Sequence, residues 1–207
     1  MTATAEIHRP TARRSHTSAA FCAIAAALAC AAIAIGFALG ADRTEAWLLA
    51  ARYTARLSFP IFLLVFLSTP WNQLAPSAAS RFVAKRRRSF GLAFATAHTI
   101  HLGALATYLY IVGEHPEFQR LAVGGAAYLG MFLMAATSSD AAVRRLGRHW
   151  RTLHRTGLYL LWFVFAFTYS TRVSKRGAEY LPQLVLVFAA LGVRIAAWRR
   201  RRARLRG

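Results

Sequence analysis

Acidic residues are scarce in this chain: seven Asp and Glu stand against 27 Lys and Arg among 207 residues, a formal net charge of +20. By itself that balance fits a nucleic-acid binder. Yet charged residues make up only 16% of the chain and hydrophobic ones 57%, more apolar surface than a soluble domain of this length can cover. Cysteine is almost lacking as well. Cys22 and Cys30 both fall in the first apolar block, where they pack as small apolar side chains and form no disulfide framework. No Cys-x-x-Cys, Gly-x-Gly-x-x-Gly or Walker-type Gly-Lys-Ser/Thr occurs, which excludes a motif-bearing dinucleotide or nucleoside-triphosphate domain within this chain. Any electrons or energy it handles come from a partner.

What the chain has instead is apolar blocks long enough to cross a bilayer, separated by basic gaps. About 20 helical residues at 1.5 Å rise suffice for a crossing. Six such blocks are expected as spans, at about 19–40, 45–69, 90–112, 118–137, 153–171 and 180–198. A leader (1–18) with Arg9, Arg13 and Arg14 precedes them, and a polybasic tail (199–207) follows. The basic leader and Ala-rich first block also fit a cleaved signal peptide, the competing reading of that block. Short connections make consecutive helices antiparallel neighbours, so the expected fold is all-α, an integral membrane six-helix bundle.

Charge in the gaps sets the expected direction, because short cytoplasmic loops retain Lys and Arg. The leader, the Arg81–Arg88 loop, the Arg144–Arg151 loop and the tail lie inside, and residues 41–45 and 113–117 outside. Both termini are then cytoplasmic and the protein sits in the cell (inner) membrane. Arg172, Lys175 and Arg176 break the rule on the outer side. The tail beside a span end reads as a grip on anionic lipid headgroups. Lipid therefore explains the basicity, and no nucleic-acid partner is expected.

Ionisable residues at membrane depth are costly to insert and point to function. His98 and His101 lie three residues apart on one face of the third block. His154 opens the fifth block, and Arg56 lies mid-way along the second with Arg52 one turn away. A buried imidazole bonded to a neighbouring helix carbonyl is one reading of each histidine. The other is a b-type haem, which needs imidazoles projecting into an apolar bundle. A metal or solute transporter is a third reading, disfavoured because all seven acids lie in loops or the leader. For Arg56 the alternatives are an anionic cofactor group such as a haem propionate, snorkelling, and capping of carbonyls freed by Pro60.

Several stretches resemble the ferric reductase-like transmembrane domain family. They are Arg87-Arg88-Ser89-Phe90-Gly91-Leu92 with His101 ten residues after the glycine, and Thr137-Ser138 followed by a basic loop and Trp150-x-x-Leu153-His154. Ala55-Arg56 and Thr69-Pro70 are similar to its bacterial branch, which includes the haem-binding membrane subunit of a periplasmic methionine sulfoxide reductase system. The resemblance covers roughly residues 55–169. It implies a six-helix fold holding one or two b-type haems between the third and fifth spans, with electrons crossing from the cytoplasmic side. His101 and His154 match haem-iron ligands, with His98 and Arg56 as further candidate haem-binding residues. Phe167 stands at the family's second fifth-span histidine, and Arg87 at the partner of His101. At 1.5 Å per residue, His101 and His154 are expected to differ by roughly 12 Å in depth.

The resemblance therefore implies a membrane electron-transfer subunit, the membrane component of an oxidoreductase if the complex is enzymatic. Its donor is a membrane quinol or a separate reductase, and its acceptor an extracytoplasmic redox partner. The alternative from another class is a cofactor-free scaffold or partner-binding subunit on the same fold.

Overall fold

A computed structural model describes residues 10–115 and 117–206, with side chains from Thr17 onward except Arg120. Arg9 of the leader, Pro116 of the expected outer loop and Gly207 of the tail lie outside the described residues. The described chain is all-α, without strands. Its helices are α1 (Pro10–Leu39), α2 (Arg43–Leu74), α3 (Ala78–Lys85), α4 (Arg87–Val112), α5 (Phe118–Ala136), α6 (Asp140–Leu146), α7 (Arg148–Arg176) and α8 (Leu181–Arg204).

Eight described helices replace the expected six, because the two basic gaps fold as well. Ser77 and Ser80 form a reciprocal capping box that starts α3, and the Ser80 hydroxyl also donates to Asn72 Oδ1. Ser139 accepts from the Ala142 N–H and starts α6. In each case a hydroxyl satisfies a first-turn N–H that otherwise has no helical partner.

Three helical segments are by themselves long and apolar enough to cross a membrane: Thr17–Leu39, Arg43–Leu74 and Ala178–Arg204. Leu121–Ala136 reaches that length only together with Asp140–Leu146, across a bend of 107°. The pattern of exposure suits lipid. Ile24, Leu28, Phe37, Phe132, Phe163 and Phe188 face outward, while Ser18, Thr54, Ser58, Ser68, Ser80 and Ser89 are buried. Helices in lipid gain little from hiding leucine and pack through small and hydroxyl residues instead.

The chain divides into two compact units. The first takes residues up to Ile61 together with Arg88–Tyr108. Its interior is built on alanine: Ala25 packs with Ala93 and Ala97, and Ala50 and Ala51 pack with Ala104. The Ser18 and Ser89 hydroxyls bond at 3.0 Å, joining α1 to α4. A Cβ on Gly36 would lie 2.5 Å from the Ala50 nitrogen, and one on Gly40 2.5 Å from that of Ala46. These are backbone atoms that cannot swing aside. Gly36→Ala should therefore force α1 off α2 at a cost of about 1–3 kcal/mol, read as a lowered thermal midpoint. Gly103→Ala, where a Cβ meets nothing within 4 Å, should leave the midpoint unchanged or slightly raised.

The second unit takes Phe62–Arg87 and Leu109–Gly207. Phe62 and Phe66 are fully buried there, Phe62 against Phe165 and Phe66 edge-on to Tyr159. The Trp162 indole N–H donates to the Val187 carbonyl and ties α7 to α8. Arg172, an exception to the charge pattern, lies over the ring of buried Tyr180 at 5.3 Å.

The second block was expected to stop at Pro70, but α2 continues to Leu74. A proline has no N–H, so Pro70 leaves the Phe66 carbonyl without its helical donor. Arg194 of α8 supplies one: its Nη1 donates to Phe66 O at 2.7 Å. Arg200 likewise donates to the carbonyl of Leu74, the last residue of α2. Arg194 also donates through Nε to the Tyr159 hydroxyl and lies over the Phe66 and Tyr159 rings. A cation inside the sixth apolar block is thus satisfied without any carboxylate.

Candidate functional site

In the first unit α4 carries His98 and His101 with ring centroids 5.1 Å apart, as their spacing of three residues dictates. Phe94, one turn earlier, stacks on His98 at 5.0 Å. Thr54 of α2 meets His101, its Oγ1 lying 3.1 Å from Nδ1. A threonine hydroxyl has one hydrogen, and that of Thr54 goes to the Ala50 carbonyl at 2.7 Å. Toward His101 the hydroxyl therefore accepts, so Nδ1 carries the proton. The neutral ring then has its lone pair on Nε2. Fixing a ligand's tautomer through its other nitrogen is the common role of a partner behind a metal-binding histidine.

His154 lies in the second unit, and its wiring is the reverse. Its Nε2 is 3.1 Å from Thr137 Oγ1, whose hydrogen goes to the Leu133 carbonyl at 2.6 Å. Nε2 is then the protonated nitrogen and the lone pair sits on Nδ1. Trp150 stacks on this imidazole at 4.1 Å and donates its indole N–H to the Thr137 carbonyl at 2.9 Å. The motif Thr137 to His154 is thus one hydrogen-bonded corner at the start of α7. As it stands, it offers iron Nδ1 and not Nε2.

Arg56, the candidate for an anionic cofactor group, sits apart from the His101-facing side of α2. Helical residues advance about 100° each, so Arg56 lies about 200° around α2 from Thr54, away from the His101 face. Its side chain is exposed and sits over Tyr53 at 5.9 Å. The small and hydroxyl residues Ala50, Ala51, Thr54 and Ser58 take the buried side, and the guanidinium is left to snorkel. Phe167 is 53% exposed and stacks along α7 on Phe163, so a histidine there would also point outward. Arg87, at the first turn of α4, is exposed. Among the described residues no group of three or more His, Cys, Asp and Glu side chains is placed to hold a metal ion. Among these histidines, His101 is the one whose Nδ1 meets a threonine hydroxyl of α2, with the His98 ring against it.

Thr54 and Arg194 were not singled out by sequence. Thr54 had a faint signal, a hydroxyl among Ala50, Ala51 and Ser58 at helical spacing. Arg194 had a plainer one, a cation inside an apolar block whose partner helix carries Pro70.

The Protein-methionine-sulfoxide reductase heme-binding subunit MsrQ of Bordetella pertussis is 38% identical over 99 residues, 46% of this chain and 45% of that protein. Its Bordetella parapertussis counterpart is 37% identical over 99 residues, with the same coverage of each chain. The protein of that name from Cronobacter sakazakii is 30% identical over 159 residues, 73% of this chain and 75% of its own length. The chain thus spans about half the length of the Bordetella relatives it matches. No protein-family model matches the chain. No solved structure matches it either. With 30% identity extending over three quarters of a relative, the chain belongs to the MsrQ family of heme-binding subunits.

Proposed function

We propose that this chain is a membrane electron-transfer subunit that binds b-type haem through His101 and serves a protein-methionine-sulfoxide reductase. The observation that carries the reading is the Thr54–His101 hydrogen bond, which gives the imidazole the tautomer that iron needs, in a chain whose relatives are named for heme binding. Bound haem would supply a one-electron carrier within the apolar interior. Thr54 holds His101 in orientation, and the stacked Phe94 and His98 keep water from that face. His154 is the second candidate ligand, and its Nε2 is engaged by Thr137. A quinol or a separate reductase is the donor, and an extracytoplasmic reductase subunit the acceptor.

The proposed frame is the ferric reductase-like six-span arrangement, with α1, α2, α4, α5, α7 and α8 crossing the inner membrane and both termini cytoplasmic. The leader (1–18) and tail (199–207) then flank the membrane domain on the inner surface. His115 is exposed, and this frame would put it at the outer face. After replacement of Cys22 and Cys30, a His115→Cys variant should react with an impermeant thiol reagent in intact cells. Labelling of a cysteine at the tail instead would reverse the topology.

The cofactor-free scaffold is the second reading, favoured by His154 Nε2 being engaged by Thr137 and by the outward-facing Phe167. A reduced-minus-oxidised visible spectrum of the purified protein, expressed with ample haem supply, separates the two. A Soret band with α and β bands is expected, and a featureless spectrum would leave the scaffold reading standing.

A further inference from the structure

Three arginines from two helices line one cavity in the second unit, and no acid is among its described lining residues. The cavity has a volume of about 520 Å³ and is lined by Arg155 of α7 and by Arg194 and Arg201 of α8, with Gln73, Tyr159 and Trp198 among the remaining lining residues. That volume is in the range of small-molecule sites, about 300–1,000 Å³. Arg194 uses Nη1 on Phe66 O and Nε on Tyr159, which accounts for two of the five N–H groups of a guanidinium.

We propose that this cavity binds the phosphate of an anionic phospholipid. Three arginines lining one cavity without a carboxylate among the described lining residues repel one another, and an anion that accepts from them lowers that cost. Phosphate suits them because a planar guanidinium donates two parallel N–H bonds to it. A soluble phosphate ester has the same chemistry. Lipid is the source we assign, because the walls are amphipathic. Pro70 and Ala197 give an apolar side, and Trp198, 48% exposed, is the residue type that sits at headgroup level. The cavity also lies where α8 passes from its apolar stretch into the basic run Arg199–Arg202, at the level where a basic pocket between helices meets headgroups. The site is independent of the haem reading.

The test uses the full chain in nanodiscs with equal parts phosphatidylglycerol and phosphatidylcholine, counting retained lipid by native mass spectrometry. Wild type should retain phosphatidylglycerol preferentially. Arg155→Gln with Arg201→Gln should weaken that preference about thirtyfold, the loss of two basic contacts at a headgroup. Arg199→Gln with Arg204→Gln and Arg206→Gln, outside the cavity, should lower only the loosely held anionic lipid that the tail grips and keep the tightly retained phosphatidylglycerol. Thermal midpoints in phosphatidylcholine alone should match wild type for both sets. Should the Gln pair unfold, the Arg155→Lys and Arg201→Lys pair, which keeps the charge, should retain the preference. A wild type without preference overturns the proposal, as does a tail variant that loses as much as the cavity variant. Inorganic phosphate titrated onto phosphatidylcholine nanodiscs gives the last arm. Saturable heat that the Gln pair abolishes would assign the site to a soluble phosphate and overturn the lipid source.

Discussion

His101→Ala should abolish the Soret band of the membrane-bound protein, while His154→Ala should leave most of it. The difference follows from the two hydroxyls. Thr54 accepts from His101 Nδ1 and so directs the lone pair to Nε2, whereas Thr137 accepts from His154 Nε2 and blocks that nitrogen. Thr54→Val keeps the shape and removes the acceptor, so haem affinity should fall about 10–100-fold, the usual cost of losing the group behind a ligating histidine. Thr54→Ser should restore most of it. Titration of haem into apoprotein gives the affinities, and the electron paramagnetic resonance signal of the ferric form reports the axial ligands. Equal losses from His101→Ala and His154→Ala would mean that the hydroxyl behind each imidazole does not decide which one holds the haem. Full retention in His101→Ala would remove the proposed site.

How far this was legible in sequence depends on what each feature requires. The apolar blocks and basic gaps read directly, since helix rise and insertion cost act on consecutive residues. The pairing of His98 with His101 was equally local. The two extra helices were readable in principle from Ser77-x-x-Ser80 and Ser139-Asp140, short capping signals overshadowed by the charge of those gaps. For Arg56, sequence position gives depth along a helix more readily than direction around it. The small-residue face Ala50–Thr54–Ser58 was the clue to direction. Thr54 and His101 are 47 residues apart, so which hydroxyl backs which imidazole is decided by packing alone. Phe66 and Arg194 are 128 residues apart and meet for the same reason.

That last contact carries a prediction for stability. Arg194→Leu should destabilise the second unit, because an unsatisfied carbonyl away from water costs about 1–3 kcal/mol, and the bond to Tyr159 and the stacking on two rings are lost with it. The bare measurement mixes in the gain from exchanging a cation for leucine in an apolar segment. A second substitution separates them. In Pro70→Ala the new N–H can donate to Phe66 O along the helix, so Arg194 is no longer needed there. The cost of Arg194→Leu should therefore be smaller in the Pro70→Ala background by about 1–3 kcal/mol. Leucine's insertion gain and the Tyr159 contacts are common to both backgrounds and cancel in the cycle. Reversible unfolding of the reconstituted protein, followed for the wild type, both single variants and the double variant, supplies the four free energies. A coupling within about 0.5 kcal/mol of zero, the scatter expected of independent sites, would show that the guanidinium does not act on the carbonyl freed by Pro70. A coupling of the expected size would make α8 the element that lets α2 continue past its proline to Leu74.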